Sequence, residues 1–132
     1  MNIPSELLYT NNHEWIRAVG GEGSVGITDY AQGELGDIVF LDLPEIGASV
    51  TAGRPFGSIE AVKAAADLFA PVSGTISEVN QDLEHHPELI NQDAFGEGWI
   101  VKIKLSNASE LNALLDAAAY GRLTLQSKGE RH

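Results

Sequence analysis

The sequence predicts an all-β fold with small helices, a β sandwich or barrel closed by one C-terminal amphipathic helix. Three observations predict it. Short runs of β-branched and aromatic residues recur at strand length, glycines punctuate them, and only Ser109 followed by ELNALLDAAAY carries sustained helical spacing. A chain of 132 residues suits one domain with a real core. The expected organisation is a single domain over 1–132, with its core at about 7–120 and a loosely held tail, GRLTLQSKGERH, at 121–132.

Each element has its own signal. From Tyr9 to Ile27, apolar groups broken by glycines at 20, 21, 23 and 26 read as strand, turn, strand. Thr28 or Asp29 can cap a helix of at most two turns running to Gln32 or Leu35, with Gly36 suited to its left-handed exit. IVFLDLP at 38–44 is a strand stopped by Pro44, and Gly47, Gly53, Gly57 and Gly74 mark turns between further short strands. His86 and Pro87 open a small helical turn, PELIN, because proline fits a first helical position. WIVKIKL at 99–105 alternates as another strand. Leu111, Leu114, Leu115 and Ala118 then share one helical face, with Gly121 as the stop.

Composition excludes several functions. Nineteen acidic side chains against eight basic ones give a formal net charge of -11, which repels nucleic acid and anionic membranes and favours partners with basic patches. Cysteine is absent, so thiol chemistry must come from a cofactor. No segment reaches transmembrane length, and MNIPSELLYTNNHEW has neither a basic leader nor a long apolar run. The cytoplasm is the expected compartment, or the mitochondrial matrix for a mature eukaryotic form. His85 and His86 beside Glu84 and Glu88 lack the spacing of a metal site and read as a surface loop. Trp15 and Trp99 lie in strand patterns and read as core. No nucleophile elbow or phosphate loop is present, so no catalytic residue and no enzyme activity of the chain's own is expected.

Lys63 stands out as the only lysine in the first 101 residues. By propensity EAVKAAADL is helical. The flanks, from Gly47 through Val50, Gly53, Phe56, Ile59 and Glu60 to ProValSerGly at 71–74, instead frame a hairpin with Lys63 at its tip.

GASVTAGRPFGSIEAVK followed by APVSG resembles the lipoyl and biotinyl carrier domains. With HEW at 13–15, GITDYAQGELGDIVFLDLP, EAVKAAAD, APVSGTISEVN and NQDAFGEGWIVKIK in order, the chain over residues 7 to about 120 more closely resembles the H protein of the glycine cleavage system. Ala61 and Ala66 depart from the serines common in that family. The resemblance implies a barrel-sandwich hybrid in which Lys63 carries covalent lipoate, and Val62 and Ala64 favour lipoate over biotin, whose lysine usually lies between two methionines.

It further implies that the chain is a non-enzymatic carrier, with a monomer as the default oligomeric state. Its partners would be a pyridoxal-phosphate glycine decarboxylase, a tetrahydrofolate-dependent aminomethyltransferase, an FAD- and NAD-dependent dihydrolipoyl dehydrogenase and lipoylating enzymes, with the aminomethyl group of glycine as cargo. A lipoyl relay to other enzymes is the alternative role. Because that cargo is a hydrolysable cation, a groove with carboxylates should shelter it, and Glu14 and Asp67, with Asn12 as a hydrogen-bonding neighbour, are the candidates. Glu60, three residues before Lys63, is the candidate for recognition by the lipoylating enzyme.

Overall fold

A computed structural model describes residues 3–129, with side chains through residue 125. Its strands are β1 (Leu8–Tyr9), β2 (Glu14–Val19), β3 (Glu22–Ile27), β4 (Ile38–Asp42), β5 (Ser49–Val50), β6 (Pro55–Ala61), β7 (Ala65–Phe69), β8 (Gly74–Val79) and β9 (Val101–Leu105). They form an antiparallel six-stranded sheet, β1-β2-β3-β9-β8-β5, and an antiparallel three-stranded sheet, β4-β6-β7. The sheets pack as a sandwich, and neither closes into a barrel.

Period-two alternation sorts the side chains between two cores. Ile16, paired with Val25, joins Ile59, Leu68, Ile76 and Ile103 in the main cluster, whereas its neighbour Trp15 joins Leu7, Tyr9 and Tyr120 in a second. The β2–β3 turn is Gly20-Gly21, both with positive φ, as the twist of a two-residue hairpin requires.

Helix α1 (Asp29–Leu35) starts where Thr28 Oγ1 accepts from the Ala31 N–H and ends at Gly36, φ 82°. Helix α2 (Leu89–Gln92) begins two residues after Pro87, and a 3-10 turn over Gln81–Glu84 precedes it. Trp15 is fully buried, while Trp99 is half-buried with Lys102 Nζ 5.3 Å from its ring centroid.

Three expectations are corrected. Gly57 and Gly74 lie inside β6 and β8 rather than in turns; a Cβ on them would come within 2.5 Å of Asp42 O and 2.0 Å of Lys104 O, so glycine is there for close backbone approach. The helix read from Ser109 to Tyr120 is broken into a 3-10 turn (Ala108–Ala113) and helix α3 (Ala117–Gly129), because Leu115 leaves the helix to exchange backbone hydrogen bonds with Tyr9. Residues 121–129, expected to hang loosely, continue α3, with Thr124 buried and its hydroxyl donating to Gly121 O; the rest of the expected tail, 130–132, lies outside the described residues.

Candidate functional site

Lys63 occupies the tip of the β6–β7 hairpin. The Ala61 N–H donates to Ala64 O at 2.7 Å, closing a turn in which Val62, Lys63 and Ala64 are all exposed. Helical propensity loses here because β6 is held on both sides, by β4 (Ile38 opposite Ala61) and by β7 (Glu60 opposite Ala65). The small residues Ala64, Ala65 and Ala66 leave the tip unobstructed.

A bracket behind the tip fixes it. The Val62 N–H donates to Asp37 O, and the Lys63 stem lies beside Gly36, where a Cβ would meet Lys63 Cε at 3.3 Å. The Asn91 carboxamide of α2 accepts from the Ile38 N–H and donates to Gly36 O and Gln32 Oε1, at 2.8 to 2.9 Å. Asn91 therefore joins the end of α1 to the start of β4, the segment against which the lysine turn rests.

The same hairpin walls a cleft of about 290 Å³, whose lining includes Ala31, Leu35, Ile59, Ala66 and Leu68 together with Asn12, His13, Glu14 and Asp67. Asn12, Glu14 and Asp67, far apart in sequence, are thus brought to one cavity. Ala66 is three residues from Lys63, so the cleft opens roughly 10 Å along the strand from the tip. Glu60 does not join it. It stands exposed beside Ser58, Ala65 and Asp67 in a shallower depression on the same hairpin.

Glu14 is 2% exposed, which its sequence context did not reveal. Its carboxylate accepts from the Thr10 hydroxyl at 2.6 Å and from the Phe69 N–H at 3.2 Å. Burial disfavours its charge and pushes its pKa up to about 7, with those two hydrogen bonds pulling the other way. Glu14 and Asn12 also border a second cavity, with Gly53, Ala70 and Leu114.

Sequence reasoning missed four supports of this cleft. Thr10 organises the loop, its hydroxyl oxygen accepting from the N–H groups of Asn12 and Glu14. That loop turns at His13, whose φ of 68° is the only positive value outside glycine among the described residues. His13 Nδ1 lies 2.8 Å from the Tyr120 hydroxyl, which is 2.7 Å from Thr28 Oγ1, and burial lowers the His13 pKa. Asn91 is the fourth. Tyr120 is 107 residues from His13, so no local pattern could have joined them.

No helix among the described residues is long and apolar enough to cross a membrane, and they contain no group of three or more histidine, cysteine, aspartate or glutamate side chains arranged to hold a metal. Glu84, at the end of the 3-10 turn, and His85, His86 and Glu88 after it are all exposed.

Comparison with known proteins gives a consistent result. The sequence model for the glycine cleavage H-protein matches residues 7–127. The chain is 54% identical to the glycine cleavage system H protein of Symbiobacterium thermophilum, over 93% of this chain and 96% of that one. It is 56% identical to that of Bacteroides thetaiotaomicron, over 91% and 95%. Among solved structures, it superposes on a glycine cleavage system H protein from Mycobacterium marinum with a TM-score of 0.85 at 41% identity, covering 92% of this chain and 98% of the other.

Proposed function

The chain belongs to the glycine cleavage H-protein family, and on that premise we propose that it is a monomeric, cytoplasmic lipoyl carrier, one domain throughout, whose lipoate is attached to Lys63. Its cargo is the aminomethyl group of glycine, taken from the pyridoxal-phosphate glycine decarboxylase and delivered to the tetrahydrofolate-dependent aminomethyltransferase. Dihydrolipoyl dehydrogenase and lipoylating enzymes complete the partner set. The observation that carries the reading is the pairing of an exposed lysine with a cleft built from its own hairpin and floored by a buried carboxylate.

The residues fit a lipoyl group. Lys63 offers an unhindered amine at a turn, and the cleft is apolar along Ile59, Leu35 and Leu68 with polar groups gathered around Glu14. The group supplies a strained, exchangeable disulfide, the sulfur chemistry that a cysteine-free chain lacks. Acylation makes the lysine neutral, and its stem plus an acyl chain spans on the order of 10 to 15 Å by bond lengths, enough to reach the cleft.

Inside the cleft this chain's residues bind and orient the cargo and exclude water. Burial makes the Glu14 carboxylate hold a proton more readily than an exposed one. An entering ammonium favours the carboxylate, and a desolvated pair attracts more strongly than one in water. Asp67 adds a second negative group at the rim, Asn12 a hydrogen bond, and Leu35, Ile59 and Leu68 keep solvent out. A relay scaffold would need the exposed lysine but no acid-floored cleft, so Glu14 favours the shuttle. Glu60, exposed on the lysine hairpin, suits recognition by the lipoylating enzyme.

The test is intact mass after expression with lipoate, mapped to a peptide containing residue 63, followed by glycine–bicarbonate exchange with the decarboxylase. Lipoylated protein should support exchange and Lys63→Ala should not. Full activity in Lys63→Ala, or biotin at residue 63, would end this reading.

A further inference from the structure

Four of the six large apolar side chains exposed among the described residues lie in one stretch of the fold: Val62 (76%), Val39 (51%), Phe40 (55%) and Ile46 (62%). Val62 is in the lysine turn, Val39 and Phe40 are on β4, and Ile46 follows it. β4 is an edge of the three-stranded sheet, and its first residue, Ile38, pairs with Ala61 at the lysine turn. An exposed apolar edge strand is a liability that proteins ordinarily blunt with charge.

The stretch leads into a groove of about 570 Å³, bordered by Phe40 and Ile46 and lined by half-buried Leu41, Leu43 and Val79 and buried Leu83. Asp42, Glu45 and Glu84 also line it, and no lysine or arginine does. Phe40 and Asp42 lie two and four residues along β4 from Ile38, so the groove's wall on this strand runs from roughly 7 to 13 Å from the lysine turn. It is separate from the cleft that holds Glu14.

We propose that this apolar track and acidic groove form the docking surface for the enzyme that acylates Lys63, which engages it with an apolar projection flanked by lysine or arginine. The inference rests on the reading of Lys63 as the acylated residue. Reach selects this occupant. A bare lysine amine extends only about 6 Å from its Cα, so an enzyme that acts on it must cover the hairpin and what adjoins it. Enzymes met later by the full arm can work at greater distance. The acidic lining selects a basic counterpart.

The experiment is initial-rate acylation of the apo chain by a purified lipoate–protein ligase with lipoate and ATP, read by intact mass. Phe40→Ala with Ile46→Ala should raise KM roughly tenfold, as expected when two exposed apolar side chains lose their burial against a partner, with kcat changed far less. Val19→Ala, at a still more exposed position on β2, should leave KM within about twofold. Glu45→Lys with Glu84→Lys should raise KM at low salt, and the defect should shrink at about 0.5 M salt as screening takes over. Thermal unfolding at the wild-type temperature shows that the variants fold. An acylated wild type with an unchanged KM in Phe40→Ala/Ile46→Ala overturns this inference alone. A wild type that gains no lipoyl mass overturns the reading of Lys63 and the inference with it.

Discussion

Replacing Glu14 with Gln tests the buried carboxylate directly. In the fold its pKa is raised from the ordinary 4.5 to about 7. A folded state that binds the proton more tightly than the unfolded chain is most stable, relative to it, below pH 4.5 and loses that advantage as pH rises through about 7. The difference of roughly 2.5 units amounts to on the order of 3 kcal/mol across the window. Glutamine cannot titrate, so the stability gap between wild type and variant should change by about 2 to 3 kcal/mol between pH 5 and 8, in favour of the variant as pH rises. The variant also carries a fixed cost of about 1 kcal/mol, because Thr10 Oγ1 already accepts from two N–H groups and Phe69 presents a third donor. His13, whose pKa burial lowers, pulls the opposite way below pH 6.5. It is common to both proteins and cancels in the difference. The assay is guanidinium unfolding at pH 5, 6, 7 and 8. Parallel stability curves would refute the claim that Glu14 is a proton-binding group in the folded protein.

Other substitutions probe the supports. Asn91→Leu keeps the volume but leaves the Ile38 N–H and Gly36 O without partners; it should cost about 2 to 4 kcal/mol and speed amide exchange at Ile38 and Val62, whereas protection equal to wild type would remove Asn91 from the bracket. Tyr120→Phe retains the stack on Tyr9, 4.6 Å between centroids, but loses the bonds to His13 and Thr28. About 1 to 2 kcal/mol of stability should go with them, measured by chemical denaturation, and no loss would mean that the hydroxyl does not tie α3 to the cleft. Gly74→Ala drives a Cβ to 2.0 Å from Lys104 O between β8 and β9; a loss above about 4 kcal/mol, or no soluble protein, is expected, and a wild-type melting temperature would contradict the close approach.

Local signals in the sequence were strong where one residue type has one conformational use. Gly20-Gly21 announced a hairpin, and Thr28 with Gly36 bounded α1, because caps and positive-φ turns are set within a few residues. The lysine hairpin was legible only from its flanks, since EAVKAAADL by itself prefers helix. Signals failed where a distant partner decides. Leu115 has good helical spacing, but Tyr9 offers it a backbone bridge and the helix breaks there. Gly57 and Gly74 look like turn glycines until the neighbouring strand is in place. Asn12, Glu14 and Asp67 could be named as polar candidates, yet the burial of Glu14 depends on Phe69 and the sheet around it.

The arrangement resolves the opposed demands that the proposed function places on a carrier. Its lysine must be open to an acylating enzyme, while a hydrolysable cation must be kept from water. One hairpin meets both because β6 and β7 present Lys63 at their exposed end and supply Ile59, Ala66, Asp67 and Leu68 to the cleft further along. The two functions then need only a tether as long as the distance between them. The acid proposed to receive the cation belongs to neither strand. Glu14 sits at the start of β2, on a loop that turns at His13 and is tied through Tyr120 to α3. Attachment and shelter share the hairpin but sit at its opposite ends, with Phe69 at the far end of β7 donating to Glu14, so the tip can be gripped by an enzyme at a distance from the carboxylate. On this reasoning, changes at Phe40 should impair loading but leave the pH dependence set by Glu14 intact, and Glu14→Gln should do the reverse.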